Sequence, residues 1–538
     1  MIKLNKKTLY LIDLIYIAVP ILLFLFGWTK WYIAICCSAV LIGCYWRMYR
    51  SFTEEKEESI AVKPIVFIGV VFVLMLFGYA FGWGRWTAQP YDWEKHNTLL
   101  SDLTKRSWPV YYTNGSEHSM LTYYIAQYLV PAFVGKATGS FRVTERMIYV
   151  WNEIGILLIW LQLIRALKIE KGYKQVLSSI FFLMFGLPLA LAKKFAINFT
   201  TFDIFQDKDN PSWFVLDDDR LIHLQYSENF TLLNWVFPQV IVIWLVTLLF
   251  FEHKDKLRYY IPLMLPCMLY GILSFIGMVI FAAAYAVFLL VRDKKFADWL
   301  KSVLSPENIL CMATLGSVLL LYYYGNMISE KPDALGFKIM PYKGGLIGIY
   351  FLFVIFNVLP YGLSLFKWYK RDVLYWVSFI SLLIFPIFRM GMYNDLMMRA
   401  SIPALFLFMY YIMEIFNRYI NIPQSDPSVK GKKLSKEEQK LQLKKDMQDI
   451  KKKLLKVPVQ VYILIVFVLI GAHYPHRCFT RIMLADNISE CGKLRSWGSA
   501  EKYANRGIKD KQDQVYNYFS YDIDDNLFYK YISRVKDE

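Results

Sequence analysis

The sequence predicts an all-α, polytopic membrane protein with about thirteen transmembrane helices, and three observations support this prediction. Hydrophobic residues make up 56% of the 538-residue chain, and its mean hydropathy is +0.33, well above the usual range of water-soluble proteins. These residues occur in blocks of roughly 17–25, the length at which a helix crosses a ~30 Å hydrocarbon core. Charged residues are almost absent from the blocks and cluster between them.

The first block follows a basic N-terminus, so it must be either a signal peptide or a permanent span. Lys3, Lys6 and Lys7 precede it, and its apolar core continues to Phe26 without a small-x-small cleavage site. We therefore predict an uncleaved signal anchor. The predicted spans cover residues 9–27, 31–47, 64–84, 146–167, 174–192, 235–251, 259–273, 275–291, 306–324, 346–366, 372–388, 400–416 and 457–472.

Lys and Arg residues concentrate in alternate loops, and such loops face the cytoplasm in most membrane proteins. We therefore predict a multi-pass protein of the plasma or inner membrane, with a cytoplasmic N-terminus and an exterior C-terminus. The basic loops also account for the net charge of +17, so we expect no nucleic-acid partner. The loops assigned to the cytoplasm are residues 47–63, 165–174, 254–258, 292–301, 367–371 and 418–456.

This topology requires that the segment Leu121–Val134 does not cross the membrane. The segment has about fourteen residues, contains Gln127 and Pro131, and is amphipathic, which favours an interfacial or re-entrant position. We therefore predict a large first exterior loop, Arg85–Arg142, that lies partly on the membrane.

Five regions follow from this topology, and one of them, residues 417–456, is rich in lysine. This Lys-rich region has the composition of a basic helix attracted to anionic lipid, so membrane lipid is a predicted partner. In the tail, Cys478 and Cys491 are compatible with a disulfide or with two free thiols. The regions are an N-terminal transmembrane hairpin (1–63), a membrane core (64–416), a cytoplasmic Lys-rich segment (417–456), a final span (457–472) and an exterior tail (473–538).

The first candidate site directly follows the third span. Asp92 lies at interface depth, where its carboxylate could take a proton from an acceptor hydroxyl as a general base. Its position before a predicted helix is equally typical of an N-cap. Glu94 and His96 lie on the same turn and are candidate substrate-binding residues, although a loop histidine bonded to backbone is the plainer interpretation of His96.

The run Tyr91–Asn97, followed by the amphipathic segment Leu121–Val134, resembles the first exterior loop of the C-type glycosyltransferase (GT-C) superfamily. The resemblance covers the membrane core, about Pro64–Phe416, with Leu9–Arg47 as an added hairpin. It implies that the core is catalytic and uses a polyprenyl-phosphate-linked sugar as its donor. It also implies that the chemistry takes place on the exterior face.

A second candidate site precedes and opens the sixth span. Its members are planar amides, an acid and aromatic rings, which bind sugar hydroxyls and sugar C–H faces respectively. An interfacial aromatic belt with helix caps is the alternative interpretation. The candidate substrate-binding residues are Tyr226, Glu228, Asn234, Trp235 and Gln239.

A third set of residues is basic and lies on the predicted exterior face. Arg389 ends one span and Arg399 begins the next, against the usual bias of basic residues toward the cytoplasm. An arginine fork matches a phosphate, so both are candidate lipid-phosphate ligands, together with Lys193 and Lys194. A local ion pair of Arg399 with Asp395 is the alternative.

No cofactor motif occurs in the chain: there is no Gly-rich phosphate loop, zinc-ligand spacing or GxSxG elbow. We therefore predict no cofactor. One acidic run could bind a divalent cation through oxygen ligands, although an exposed acidic loop is the commoner case and no metal is required. The acids of this run are Asp203, Asp207, Asp209, Asp217, Asp218 and Asp219.

Together these observations predict an inverting hexosyl- or pentosyltransferase of cell-envelope polysaccharide modification. It would move a sugar from a polyprenyl-phosphate donor to an exterior glycan, lipid or polymer acceptor, with Asp92 as the base. The alternatives are a polysaccharide polymerase or ligase, a lipid or polymer transporter, and a structural membrane subunit.

Overall fold

The structure is a computed structural model in which most of the chain is helical, with short two- and three-stranded sheets in the connections. It describes residues 1–54, 59–87, 89–114, 117–189, 214–216, 222–327, 336–340, 342, 347–391, 394–420, 455–484, 496–503, 518–521, 523 and 526–534.

The N-terminal half forms helices where the apolar blocks occur, because a backbone inside lipid must satisfy its hydrogen bonds within its own segment. The first helices are α1 (Lys6–Trp28), α2 (Trp31–Thr53), α3 (Pro64–Ala80), α4 (Trp93–Lys105), α5 (Ala126–Thr138), α6 (Phe141–Ala166), α7 (Gly172–Met184), α8 (Asn229–Trp235), α9 (Ile241–Glu252), α10 (Tyr260–Met264) and α11 (Cys267–Tyr270).

Polar side chains start several helices by accepting a backbone N–H of the first turn. Asn5 does so for α1 and Asp372 for α18 below. The remaining helices are α12 (Ile272–Asp293), α13 (Phe296–Val303), α14 (Pro306–Cys311), α15 (Ser317–Met327), α16 (Ile347–Asn357), α17 (Leu359–Tyr369), α18 (Val373–Ile384), α19 (Asp395–Ala400), α20 (Ile402–Tyr419), α21 (Val459–Gly471) and α22 (His473–Met483).

The prediction of about thirteen spans is not confirmed. Within the described residues, 7 helices are long and apolar enough to cross a membrane, and the number is up to 9 if each of two bent pairs forms one span. The bent pairs are α8 with α9 and α16 with α17. Long apolar helices nevertheless identify a multi-pass membrane protein.

Two predicted spans are not continuous helices. The span at 174–192 stops as a helix at Met184, because the chain turns extended at Phe185. The span at 259–273 is broken into the short helices α10 and α11. Prolines at 262 and 266 lack the backbone N–H that a longer helix needs. This segment is nearly all buried, where protein groups can replace the missing helical hydrogen bonds.

The predicted span 457–472 coincides with α21, and α22 continues it after a one-residue break at Ala472. Together Val459–Met483 make one candidate membrane span. The ring of Phe479 stacks on Phe77 of α3 with centroids 4.5 Å apart. Packing of this amphipathic end against α3 therefore carries the helix past the apolar run.

Helix α1 runs from one end of the bundle to the other, since its 23 residues extend about 34 Å. At its start, Lys6 forms an ion pair with Glu252 at 3.6 Å. At its end, the Trp28 carbonyl accepts from the Arg534 backbone N–H at 3.0 Å, and its ring lies 5.3 Å from that of Trp108. The first exterior loop and the tail thus share the end opposite to Lys6.

The predicted cytoplasmic loops contact one another. Lys174 donates to the Asn417 side chain at 3.2 Å, and Lys254 lies 3.7 Å from the Asp372 carboxylate. The first contact places the loop 165–174 beside the end of α20, and the second places the loop 254–258 beside Asp372, which directly follows the loop 367–371. The Tyr411 hydroxyl of α20 donates to Asp372 at 2.9 Å, so the three loops share one end. The assignment of that end to the cytoplasm, and the identity of the membrane, remain predictions from the positive-inside rule.

The strands are short, antiparallel and confined to connections. The C-terminal tail supplies the third strand of the largest sheet, beside two strands of the first exterior loop. The pairs are β1 (Ile2–Asn5) with β2 (Ser59–Val62), β3 (Tyr111–Asn114) with β4 (Glu117–Leu121), β5 (Phe214–Leu216) with β6 (Ile222–Leu224), β7 (Lys338–Ile339) with β8 (Phe388–Arg389), and β4 with β9 (Phe519–Ser520) in the register Met120 to Ser520.

A polar segment is enclosed in the bundle at the end opposite to Lys6. Helices α7 and α9 have 13 and 12 residues, so each rises only about 20 Å from the basic-loop end. Above them lie residues 223–239, nearly all of them buried. Irregular backbone at membrane depth occurs where protein buries it or where it lines a cavity, so this enclosed segment is a place to look for a site.

Candidate functional site

Helix α4 begins beside the enclosed segment 223–239, and its first turn carries the predicted base. Asp92 occupies the N-cap position, but its side chain makes no capping hydrogen bond. Instead its Oδ2 pairs with the Lys95 ammonium at 2.6 Å. The side chains of both residues are largely buried, with 25% and 13% exposed. The capping interpretation of the Asp92 side chain is therefore wrong.

The charges around Asp92 keep it ionised. Burial raises the pKa of its carboxyl, but the charge and hydrogen bond of Lys95, together with the charge of Arg399, outweigh burial and hold the pKa below its ordinary value. Lys95 has its own pKa raised, since its attraction to Asp92 outweighs burial. An ionised carboxylate is the form that a general base requires.

His96 is fixed by two hydrogen bonds inside the protein. Its Nε2 donates to the Trp235 carbonyl at 2.8 Å, so the ring is protonated there and its Nδ1 accepts from the Tyr128 hydroxyl at 2.6 Å. Burial, with Lys95 close by, lowers the pKa of His96 to about 3. A neutral imidazole with both nitrogens engaged favours a positioning role over direct substrate contact.

The start of α4 is also tied to the enclosed segment through Trp93. The Trp93 indole donates to the Asn234 carbonyl at 3.1 Å, and its ring stacks on Phe237 with centroids 5.4 Å apart. Residues around Asn234 and Trp235 therefore form the support under Asp92. The Asn234 Oδ1 is buried and has no hydrogen-bond partner in the described part of the chain.

Arg399 enters the site from helix α19. Its Nη1 pairs with the Asp395 Oδ1 at 2.6 Å, which confirms the predicted local ion pair. Its Nε is buried and lacks a hydrogen-bond partner among the described residues. The turn before α19 needs Gly391, whose φ is +83° and whose missing Cβ would lie 2.4 Å from an Asp395 oxygen.

The structure brings Asp92 and Arg399 into electrostatic contact although they are far apart in sequence. The charge of Arg399 interacts with the charges of Asp92 and Lys95, and its ion-pair partner Asp395 is the fourth charged residue of the group. We call these four residues the Asp92–Arg399 cluster. The two negative and the two positive charges of the cluster thus balance one another.

Other predicted residues lie elsewhere. Glu94 accepts from the Trp497 indole at 3.0 Å and so faces the tail. The Tyr226 hydroxyl donates to the Leu382 carbonyl at 2.6 Å, and Gln239 packs where a Cβ on Gly271 would be. These contacts account for the side chains within the fold, and a sugar-binding role for them remains a prediction.

Glu228 lies beside α7, and nothing in the described residues ties it to the Asp92–Arg399 cluster. It is buried, accepts from the Thr231 hydroxyl at 2.9 Å, and would collide with a Cβ on Gly186. Burial raises its pKa to about 7. Glu228 is therefore a second ionisable group of the enclosed segment 223–239 rather than part of the cluster.

The remaining predicted phosphate ligands are not part of the cluster as described. Arg389 lies in β8, opposite Lys338 of β7. Lys193, Lys194, the acids from Asp203 to Asp219, and Cys491 lie outside the described residues. Among the residues that are described, no group of three or more His, Cys, Asp or Glu side chains could hold a metal ion.

The tail adds contacts that the sequence did not predict. Asp102 of α4 accepts from the Ala500 backbone N–H at 2.8 Å and from the Ser499 hydroxyl at 3.2 Å. Arg106 pairs with Glu501 at 2.6 Å. These bonds tie the tail to the helix that carries Asp92.

Sequence reasoning also missed Lys95, Tyr124 and Tyr518 as members of the site. Lys95 is one turn from Asp92, so its i,i+3 spacing could have indicated the pair. Tyr124 and Tyr518 interact electrostatically with Arg399 from two distant segments. No local sequence pattern marks either tyrosine.

The chain matches no known protein family, and neither a curated protein nor a solved structure is significantly similar to it. Its function is therefore inferred from the side chains of the Asp92–Arg399 cluster and their position in the membrane bundle.

Proposed function

We propose that the protein is a membrane glycosyltransferase of the GT-C type that takes its sugar from a polyprenyl-phosphate-linked donor. The acceptor would be an exterior glycan, lipid or polymer of the cell envelope. The observation that carries the proposal is the meeting of Asp92 and Arg399 in one largely buried cluster at the end opposite to Lys6. A base for the acceptor and a cation for the donor phosphate are the two groups this reaction needs.

The reaction would be a single displacement. The acceptor oxygen bonds to the anomeric carbon while the bond from that carbon to the phosphate oxygen breaks. The hydroxyl proton passes to Asp92, and the polyprenyl phosphate leaves with the electron pair of the broken bond. Because no enzyme nucleophile takes part, the anomeric configuration is inverted.

The cations of the cluster would stabilise the leaving group. Negative charge grows on the phosphate as the bond breaks, and a fixed guanidinium in a largely buried site stabilises such charge strongly. Arg399 has a buried Nε–H available for this purpose. Lys95 stays paired to Oδ2 of Asp92 and orients the carboxylate, and no hydrogen bond to Oδ1 occurs within the described residues.

Joining of whole lipid-linked glycans is the second candidate reaction, because the same base and cation could serve it. Polar groups inside the helices are partly paired with one another, while the Gln127 Oε1 and the Asn152 Nδ2 have no hydrogen-bond partner within the described residues. Gln127 donates to the Asn152 side chain at 2.7 Å and to the Tyr16 hydroxyl at 3.1 Å. Such paired groups are typical of structural hydrogen bonds between helices.

Supplied with a cell-envelope glycan as acceptor, the protein in lipid nanodiscs should release polyprenyl phosphate from one member of a panel of polyprenyl-phosphate hexoses and pentoses. Asp92→Asn and Arg399→Ala should abolish or slow release. The matched controls are Asp255→Asn and Arg292→Ala, an exposed ion pair 2.9 Å long at the other end of the bundle. Consumption of diphosphate-linked glycans only, with polymeric products, would favour the ligase reaction and overturn the proposal.

A further inference from the structure

Two tyrosines from distant parts of the chain border the Asp92–Arg399 cluster. Tyr124 follows strand β4 in the first exterior loop, and Tyr518 precedes strand β9 in the tail. The Tyr518 carbonyl accepts from the Thr122 backbone N–H at 2.8 Å, and its ring packs edge-on against Tyr123 with centroids 4.2 Å apart. The sheet therefore holds both tyrosines in place through backbone hydrogen bonds.

Both hydroxyls are near the charges of the cluster. Arg399 and Asp395 act electrostatically on Tyr124 and on Tyr518, Lys95 acts on Tyr124, and Asp92 acts on Tyr518. Tyr518 is only 5% exposed. In the part of the chain that the structure describes, neither hydroxyl donates or accepts a hydrogen bond.

A guanidinium N–H that is buried without a partner is costly. The Arg399 Nε–H is such a donor. The hydroxyls of Tyr124, which is partly buried, and of Tyr518 add two further donors near its charge. Three unfilled donors around one cation are suited to a ligand with several acceptor oxygens and negative charge. A phosphate has that chemistry, since its oxygens accept from hydroxyl and guanidinium groups.

We propose that the Tyr124 and Tyr518 hydroxyls, together with the Arg399 guanidinium, bind the phosphate group of the donor, so that the C-terminal tail completes the donor site. This inference rests on the proposed function and adds a residue from beyond the last span to it. The hydroxyls donate to the non-bridging oxygens of the phosphodiester. They remain bonded as the phosphate gains charge on leaving.

The same chemistry would accept inorganic phosphate or the phosphate of a lipid, and chain length distinguishes these sources. Farnesyl phosphate carries both phosphate and prenyl chain, inorganic phosphate carries only the anion, and farnesol carries only the chain. Affinities of the full-length protein for the three probes can be measured in nanodiscs by thermophoresis. We expect farnesyl phosphate to bind most tightly.

Tyr518→Phe and Tyr124→Phe remove one hydroxyl each and keep the ring. Each should weaken farnesyl phosphate binding by about tenfold, the scale of one hydrogen bond to a charged group. Binding of farnesol should not change. The matched control is Tyr531→Phe in the same tail, because Tyr531 is 64% exposed. Equal melting temperatures of the variants would show that the fold is intact.

Two results separate this inference from the proposed function. If Arg399→Ala loses farnesyl phosphate while both tyrosine variants bind it as the wild type does, the tail inference is overturned and the proposed function stands. If farnesyl phosphate binds no better than farnesol in every variant and in the wild type, both fail. Equal weakening of farnesol and farnesyl phosphate by Tyr518→Phe would place the tyrosine on the chain and also overturn the phosphate inference.

Discussion

Arg165 and Arg399 lie toward opposite ends of the bundle and differ in how fully their hydrogen bonds are satisfied. Arg165 of α6 is 5% exposed. Its Nε donates to the Gln162 Oε1 at 2.8 Å, and its Nη1 donates to the Glu252 Oε1 at 2.8 Å. Its Nη2 donates to Gln162 at 2.7 Å and to the Tyr10 hydroxyl at 3.3 Å. Every nitrogen of its guanidinium has an acceptor.

Arg399 is somewhat more exposed, with 11% of its side chain accessible against 3% for Arg165, and it has fewer partners. Its Nη1 pairs with Asp395, and its Nε has no acceptor within the described residues. Next to it, the hydroxyls of Tyr124 and Tyr518 also have no hydrogen-bond partner there. The first cluster, which we call the Arg165–Glu252 cluster, includes Tyr10, Gln162 and His253 and lines part of a cavity of about 140 Å³. It is closed in the sense that every guanidinium nitrogen of Arg165 has an acceptor.

The difference indicates different roles. A closed set of buried charges joins elements, here α1, α6 and α9, and removing one member leaves the others uncompensated. An open set keeps donors that a ligand can satisfy, and a buried one such as the Arg399 Nε–H costs roughly 1–3 kcal/mol while it is unfilled. We therefore expect the Arg165–Glu252 cluster to govern stability and the Asp92–Arg399 cluster to govern activity.

The largest expected effect is on the reaction rate of Asp92→Asn. Loss of a general base lowers rates by about 10²–10⁴-fold, and the amide cannot take up a proton at neutral pH. Sugar transfer by the purified variant should fall by that factor while its melting temperature stays near the wild-type value. Asp255→Asn serves as the control. Near-full turnover of Asp92→Asn would direct attention to Glu94 and Glu228 instead.

The next effect is on stability and concerns the other cluster. Arg165→Ala leaves the Glu252 carboxylate without its main partner, and breaking a buried pair costs about 3–5 kcal/mol. Chemical denaturation in detergent should report a loss of this size. Arg292→Ala, at an exposed pair, should cost no more than about 1 kcal/mol.

Activity per folded molecule separates the two regions further. Arg165→Ala should retain the specific activity of the wild type, since Arg165 is far from the Asp92–Arg399 cluster. If Arg165→Ala instead keeps its stability but loses its turnover, the Arg165–Glu252 cluster takes part in the reaction, and the proposed division of roles between the two clusters is wrong.

A smaller effect is expected for donor affinity at the open cluster. Arg399→Ala should weaken binding of a polyprenyl-phosphate donor by about 1.5–3 kcal/mol, the scale of a charged hydrogen bond. Arg399→Lys should recover only part, because an ammonium cannot supply the fork. Unchanged affinity in both variants would make Arg399 a structural partner of Asp395 alone.

The long helices could be predicted because hydropathy reports how side chains partition into lipid. Helices α1, α2, α6 and α12 coincide with predicted spans for this reason. Hydropathy does not report whether an enclosed backbone stays helical, so the breaks in 174–192 and 259–273 were missed. In both segments the surrounding protein encloses the apolar residues, although the backbone does not form one regular helix.

Two members of the site could be predicted because they violate local expectations. Asp92 and Arg399 are charges next to apolar spans, and such charges are costly without a function. Tyr518 violates nothing locally, since a tyrosine in a polar tail is ordinary. Its position follows from pairing of β9 with β4, a contact between segments nearly four hundred residues apart that no single-sequence pattern reveals.

The smallest expected effect concerns pH, and here the two clusters should behave alike. Each has a buried histidine in it or beside it: His253 bonds to the Tyr10 hydroxyl at 2.8 Å, and His96, next to Asp92, bonds to Tyr128 and Trp235. Burial lowers the pKa of each to about 3, with nearby basic side chains adding to it and the neighbouring carboxylates Glu252 and Asp92 opposing it. Both imidazoles are therefore neutral in the folded protein at pH 7.

The unfolded chain takes up protons on these histidines near pH 6.5, whereas the folded chain does so only near pH 3. Stability is therefore lost as the pH falls below 6.5, by about 2 kcal/mol per histidine between pH 7 and pH 5. His96→Gln and His253→Gln should each remove that share of the pH dependence of unfolding. If only His253→Gln does so, His96 already takes up its proton in the folded protein over this pH range. Water would then reach the Asp92–Arg399 cluster more freely than its hydrogen bonds indicate.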